Sequence, residues 1–243
     1  MKKLYVVGIG PGEKEGMTFA AWEAIAGCDI LVGYTKYVEL VKPLFPDKAV
    51  FQTGMMKEVD RCQKALELAQ SGKTITLVCS GDSGIYGMAG LIYELAPSFP
   101  EVEIKIVSGV TAASSGAALL GAPLTHDFAV ISLSDLLTPW DKIEKRLINS
   151  AEAGLSIVLY NPASHRRADY LQRACDILLG VLPGETVCGI ARNIGREGES
   201  SQVLTLAQLR DTEADMFCTV FIGNETTKNI DGKMVTPRGY RNV

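Results

Sequence analysis

The stretch Val78-Cys79-Ser80-Gly81-Asp82-Ser83-Gly84-Ile85-Tyr86-Gly87-Met88-Ala89-Gly90 decides how the rest of the chain is read. The apolar run at residues 75–78 leads into it and has the character of a buried strand. Gly81, Gly84, Gly87 and Gly90 then recur at every third position. A loop this rich in glycine lets the backbone take positive φ and lets a ligand come close. Asp82 is the only charged side chain in the stretch. At the carboxyl end of a strand it stands where open α/β sheets hold their ligands. The same residues also describe a strand-to-helix turn whose glycines serve tight packing, and on the residues alone both readings stay open.

Outward from this stretch the pattern alternates. Residues 4–7 form a first expected strand, followed by Gly8-Ile9-Gly10-Pro11-Gly12. A dinucleotide fingerprint G-x-G-x-x-G would end on Glu13 here, and Pro11 removes a backbone donor that a phosphate would use. Thr18 is the expected N-cap of a helix running to Ala26 and stopped by Gly27. Residues 30–32 read as a second strand. Residues 57–70 read as an amphipathic helix with Val59, Cys62, Leu66 and Ala69 on one face. Residues 103–107 read as a strand that turns at Ser108-Gly109. Residues 110–118 follow, almost all small, as a helix that lies close against another backbone or a ligand.

Gly121-Ala122-Pro123 breaks the pattern and places the expected division, with domains at 1–121 and 122–243. In the second half, expected strands at 129–133, 156–160, 185–190 and 216–222 alternate with helices at 139–149, capped by Thr138, and 167–182, ended by Pro183-Gly184. Strands alternating with helices in both halves mean an α/β protein.

The 243 residues suit one large domain or two small ones, and 47% hydrophobic with 21% charged residues is ordinary for a globular chain. A net charge of -4 argues against a broad basic face for nucleic acid. The six cysteines, Cys28, Cys62, Cys79, Cys175, Cys188 and Cys218, form no C-x-x-C pair. Buried free thiols in a reducing cytosol are expected, with no zinc site. The N-terminal apolar run is too short for a signal peptide, and no stretch approaches the roughly 20 apolar residues of a membrane helix. A soluble cytoplasmic protein with no membrane or nucleic-acid partner is therefore expected. G-x-S-x-G and the phosphate P-loop are both absent from the sequence.

Chemistry-bearing residues are few. His126 beside Asp127 is either an acid–base pair or a surface loop. Arg166, Arg167, Arg192 and Arg196 follow expected strand ends, and Arg238 and Arg241 lie near the end of the sequence. Guanidinium groups on loops suit a polycarboxylate, since each can clamp a carboxylate with two hydrogen bonds.

Taken together, the motifs resemble the tetrapyrrole methyltransferases. Gly8-Ile9-Gly10-Pro11-Gly12 is similar to that family's G-x-G-P-G opening. Ser80 to Gly87 resembles its central G-D-P-x-x-Y/F-G motif, with Ser83 in place of Pro. Val107-Ser108-Gly109-Val110-Thr111-Ala112 resembles its P-G-x-[ST]-[AS] turn, with Ser108 in place of Pro. Gly121-Ala122-Pro123-Leu124 resembles G-x-P-L, and Thr236-Pro237-Arg238-Gly239-Tyr240 the T-P-R-G-Y close of the cobalamin branch. Within that branch, Ile131 to Trp140, Gly54-Met55-Met56-Lys57-Glu58 and Tyr160-Asn161-Pro162 are most similar to enzymes acting on precorrin-3B or cobalt-factor III.

The resemblance implies two α/β domains of the class III methyltransferase fold, with S-adenosylmethionine in the cleft between them, and a homodimer. It implies methylation of ring carbon 17 of a tetrapyrrole polycarboxylate, with contraction of the macrocycle. Carried over by position, the cofactor contacts are Pro11, Gly81, Asp82, Ile85, Tyr86, Thr111, Ala112, Asn161, Asn193 and Pro237. His126, Asp127, Ser132 and Ser134 are the candidates for proton movement, and Arg192 and Lys57 for the substrate carboxylates. Asp82 has two possible roles: to answer the positive charge of S-adenosylmethionine, or to bond neighbouring amides and shape the turn. Two other classes remain. One is a same-fold methyltransferase acting on another corrin carbon, on rRNA or on a protein, of which the acidic pI of about 5.3 opposes the RNA version. The other is a nicotinamide-dependent oxidoreductase, opposed by Glu13 and Pro11.

Overall fold

The structure is a computed structural model describing residues 2–164 and 167–241. The chain divides into two compact units, Met1–Ala112 and Ala113–Val243, so the helix of small residues begins at the division and belongs with the second.

The first unit alternates strand and helix: β1 (Lys3–Gly8), α1 (Phe19–Ala26), β2 (Ile30–Tyr34), α2 (Thr35–Val41), β3 (Ala49–Thr53), α3 (Glu58–Gln70), β4 (Thr74–Cys79), α4 (Ala89–Leu95) and β5 (Glu103–Val107). The strands form one parallel sheet in the order β3-β2-β4-β1-β5. Residues Ile75 to Cys79 are all buried because both faces of the sheet are covered. Leu4, Val6, Ile75 and Leu77 pack against α3 and α4 on one face, while Val7, Leu31 and Val78 pack against α1 and α2 on the other. Thr76 fits the apolar interior because its Oγ1 donates to the Ala24 carbonyl, 2.8 Å away at the end of α1. Thr18 caps α1 as expected, accepting from the Ala21 amide at 3.1 Å, and Gly27 ends it. In α3 the buried stripe is Arg61, Cys62, Ala65, Leu66 and Ala69. Val59, read from the sequence as part of that stripe, is instead 53% exposed.

The second unit contains α5 (Ala112–Leu120), β6 (Gly121–Ala122), β7 (Phe128–Ser132), α6 (Trp140–Glu152), β8 (Ser156–Tyr160), α7 (Tyr170–Leu179), β9 (Val187–Arg192), β10 (Ser200–Thr205), α8 (Leu206–Arg210), β11 (Cys218–Ile222), β12 (Lys228–Ile230) and β13 (Lys233–Val235). Its main sheet is mixed, in the order β10-β9-β11-β8-β7, with only the β7–β8 pair parallel. One face carries α6, α7 and α8 over Ile131, Leu159, Cys188 and Val220. The other carries α5. A Cβ at Gly116 would lie 3.0 Å from the Phe221 ring, so the small residues of α5 serve close approach to the sheet. The expected cap of α6 differs: Pro139, not Thr138, occupies the N-cap, with no side-chain hydrogen bond.

All six cysteines are buried and unpaired. Burial pushes the thiols of Cys62 and Cys175 up to about 12 and those of Cys79 and Cys218 up to about 11, from an ordinary value near 9. The unfolded chain therefore releases these protons first. The stability they contribute is complete below pH 9 and is lost as the pH rises through the window between the unfolded and folded values. A lower urea midpoint at about pH 10 than at about pH 8 is expected, with all thiols unreactive to a thiol-specific dye in the native state. Equal midpoints would show that the thiols titrate normally.

Candidate functional site

In the first unit, three loops at the carboxyl ends of β1, β4 and β5 interlock through their backbones. Ile9 donates to the Cys79 carbonyl at 2.9 Å, and Gly10 and Gly81 exchange amide–carbonyl bonds of 3.0 and 2.8 Å. Gly10 and Gly81 both take φ of +65°, which permits this two-way pairing. A Cβ at Gly8 would lie 2.6 Å from the Gly81 oxygen and 2.7 Å from the Gly109 nitrogen. These glycines are absent side chains at a three-way backbone crossing.

Asp82 ties the crossing together. Its Oδ1 accepts from the amides of Gly84 at 2.7 Å and Ile85 at 3.1 Å, and its Oδ2 accepts from the Gly109 amide at 2.9 Å. Both carboxylate oxygens are thus occupied within the unit, which is the turn-shaping role. The two serines at family proline positions also have work. Ser83, fully buried, donates to the Val107 carbonyl at 3.1 Å, and the Ser108 carbonyl accepts from Thr18 Oγ1 at 3.3 Å.

Gly81, Asp82, Thr111 and Ala112 are gathered here: a Cβ at Gly81 would sit 3.7 Å from both Thr111 Cα and the Ala112 nitrogen. Pro11 follows Gly10 directly and its ring packs over Gly16. Ile85 and Tyr86 are 41% and 56% exposed, and Tyr86 holds a left-handed φ of 55°, a costly conformation for an aromatic residue. Gly8 and Gly10 are buried, but Gly81 and Gly109 are half-buried and Gly84 and Gly87 exposed. Accessible glycine backbone with little side-chain bulk suits a nucleoside-type ligand read by main-chain groups, so the residues fit S-adenosylmethionine. Lys57, by contrast, is exposed at the start of α3 and paired with Asp60 at 3.0 Å.

In the second unit, the carboxyl ends of β7, β8 and β9 lie along one edge of the sheet, because β8 and β9 both run antiparallel to β11. Asn161 and Asn193 each stand one residue past a strand, after β8 and β9, with φ of 54° and 48°. Asparagine tolerates this left-handed conformation better than most residues. Asn161 Nδ2 donates to Ser132 Oγ at 2.9 Å, and the Ser134 amide donates to the same oxygen at 3.2 Å. Ser134 Oγ in turn accepts from Arg167 at 2.8 Å. Ser132, Ser134 and Asn161 therefore form one cluster.

His126 and Asp127 do not join that cluster. They precede β7, whereas Ser132 ends it, and a five-residue strand spans about 16 Å. His126 is exposed, and its Nδ1 accepts the Asp127 amide at 2.9 Å, so in the neutral ring the proton sits on Nε2. Arg192 is half-buried and committed to the scaffold: it donates to Cys218 Sγ at 3.1 Å and to the Glu213 carbonyl. Arg196 lies over the Phe217 ring at 5.5 Å. Arg166 lies outside the described residues.

The sequence reading missed how its own last motif is used. β13 pairs with β6, and Thr236, fully buried, accepts from Thr125, donates from its amide to Ala122 and donates from Oγ1 to the Pro123 carbonyl at 2.7 Å. Half-buried Pro237 follows. The G-x-P-L and T-P-R-G-Y segments are thus one structural feature. Among the described residues, no His, Cys, Asp or Glu cluster could hold a metal, and no helix is long and apolar enough to cross a membrane.

Residues 3–210 match the tetrapyrrole (corrin/porphyrin) methylases. A probable cobalt-factor III C(17)-methyltransferase of Salmonella typhimurium is 48% identical over 238 residues, 98% of this chain and 99% of that protein. A precorrin-3B C(17)-methyltransferase of a Sinorhizobium species is 40% identical, over 98% of this chain and 96% of its own length. The crystal structure of the methyltransferase CobJ matches with a TM-score of 0.89 at 34% identity, covering 96% of this chain and 99% of that one.

Proposed function

Because the chain belongs to the tetrapyrrole methylase family, we propose that it methylates ring carbon 17 of cobalt-factor III or precorrin-3B with S-adenosylmethionine as donor, contracting the macrocycle. The observation that carries the reading is 48% and 40% identity, over 98% of this chain, to relatives named as C(17)-methyltransferases of these macrocycles, in a chain whose three glycine loops converge as such a donor requires. A homodimer and a cytoplasmic location belong to the same proposal.

We assign donor contacts to Pro11, Gly81, Asp82, Ile85, Tyr86, Thr111 and Ala112. Bound there, S-adenosylmethionine supplies an electrophilic methyl group on a sulfonium centre. The loops contribute alignment, since an in-line displacement needs the reacting atoms held near contact, and their rigid backbone pairing costs nothing to order at that moment. Asp82 acts by fixing the amides of Gly84, Ile85 and Gly109. Ser132, with Asn161 and Ser134 bonded to its Oγ, is the better-placed candidate for holding a proton at the macrocycle than exposed His126.

Incubation with methyl-labelled S-adenosylmethionine and each of the two macrocycles tests this. A product one methyl group heavier, labelled at ring carbon 17, is expected from at least one of them. Label found on neither macrocycle, or at a different ring carbon, overturns the reading.

A further inference from the structure

The loop between β7 and α6 places its apolar side chains in solvent. Leu136 is 64% exposed and Leu137 is 97% exposed, while Leu133 just before them is fully buried. The loop is not slack. Ser134 bonds at its amide to Ser132 and at its hydroxyl to Arg167. Asp135 accepts from the Tyr170 hydroxyl at 2.5 Å and lies 3.6 Å from the Arg167 guanidinium. At the far end of the loop Trp140 carries Arg173, whose guanidinium lies 4.1 Å over the indole and 5.2 Å over the Tyr170 ring. Among the described residues Arg173 forms no ion pair.

A single exposed leucine needs no explanation, but two in succession on a loop braced at both ends describe an apolar surface held in place. The loop that carries it is bonded to Ser132 of the Ser132–Asn161 cluster through the Ser134 amide, and to Tyr170, over which Arg173 stacks, through Asp135. That combination matches a flat apolar macrocycle edged with carboxylates: apolar contact for the ring face, a guanidinium for an acid side chain. We propose that Leu136 and Leu137 form a pad on which the tetrapyrrole lies, with Arg173 beside it for a substrate carboxylate. Arg167 is a positioning residue that holds the pad through Ser134 and Asp135. The inference rests on the tetrapyrrole reading above and names the part of the second unit that selects the substrate.

The test uses the full chain with Leu136 and Leu137 both changed to Ser, positions exposed enough to leave folding intact. Binding of cobalt-factor III and of precorrin-3B, read from the pigment's own absorbance, requires no turnover. Weakening of about tenfold or more is expected. Affinity for S-adenosylmethionine and melting temperature should stay at wild-type values, and changing both leucines to Met should restore binding. Unchanged pigment binding overturns the pad. So does a loss of oligomer on light scattering with unchanged pigment binding, which would make the leucines a contact between copies of the chain. A wild-type protein that binds neither pigment overturns the pad together with the functional reading. One that binds pigment through these leucines without methylating it overturns the functional reading and leaves the pad standing.

Discussion

Gly109→Ala is expected to unfold the first unit or to leave it marginal. The added methyl carbon would sit 2.5 Å from both the carbonyl carbon and the oxygen of Gly8 and closer still to the Gly81 oxygen. None of these atoms can rotate away, because they are backbone, and the strands that carry them are fixed in register. Overpacking a well-packed core costs about 1–3 kcal/mol, and a clash with two rigid backbone segments exceeds the top of that range. Against a native stability of about 5–15 kcal/mol this is severe, and a melting temperature lower by about 10 °C or more is expected by calorimetry. Gly90→Ala is the control. Nothing lies within 4 Å of a Cβ there, and the residue is the second of α4. It should be neutral or stabilising by up to about 1 kcal/mol. A Gly109→Ala protein that melts with the wild type would show that the loops do not cross as described.

Asp82→Asn is expected to lower stability by about 2 kcal/mol, and Asp82→Ala by about 3 kcal/mol. The amide offers one acceptor oxygen where the carboxylate offers two. Its NH2 group must face either the Gly109 amide or the Gly84 and Ile85 amides, donor against donor. Affinity for S-adenosylmethionine should fall along with stability, because the loop that carries Ile85 and Tyr86 loses its tether. Denaturant titration and calorimetry on the same variant separate the two roles of this residue. Unchanged stability with weakened affinity would mean that the charge acts directly on the ligand and the turn-shaping account is wrong.

The equal spacing of Gly81, Gly84, Gly87 and Gly90 hides unequal duties, which shows where sequence reading stops. Gly81 needs its positive φ, and Gly87 must leave room for the Ser83 carbonyl, while Gly90 needs neither. Nothing in the spacing separates them: Gly81 turns its chain back to pair with Gly10, Gly87 meets backbone of its own loop at Asp82 and Ser83, and Gly90 meets nothing within 4 Å. Short-range features were legible: the Thr18 cap, the Gly27 stop and β8 at 156–160 all follow from neighbours in the chain. The α2–β3 region was not read, because β3 is an edge strand with a mostly exposed pattern and so lacks a strong apolar run. Asp231-Gly232, both at positive φ, is a two-residue hairpin turn between β12 and β13, a signal present in the sequence and passed over. At the site, Asn161 and Ser132 came from the family resemblance and from candidate chemistry respectively. Their contact, and the brace of Arg167, Asp135 and Tyr170, joins residues 29 to 35 positions apart that no motif spacing links.

The stitch between Thr236 and Pro123 has a consequence during synthesis. The two residues are 113 positions apart, which at roughly 5–20 residues per second is about 6–23 s of translation. Throughout that interval the backbone of Gly121 and Ala122 has left the ribosome without β13, the strand that pairs with it. The first unit has no such debt, since its last strand, β5, follows within the same 112 residues. The nascent chain therefore carries a finished glycine-loop unit while the second remains open at one edge. Its closure is the late, long-range step in folding.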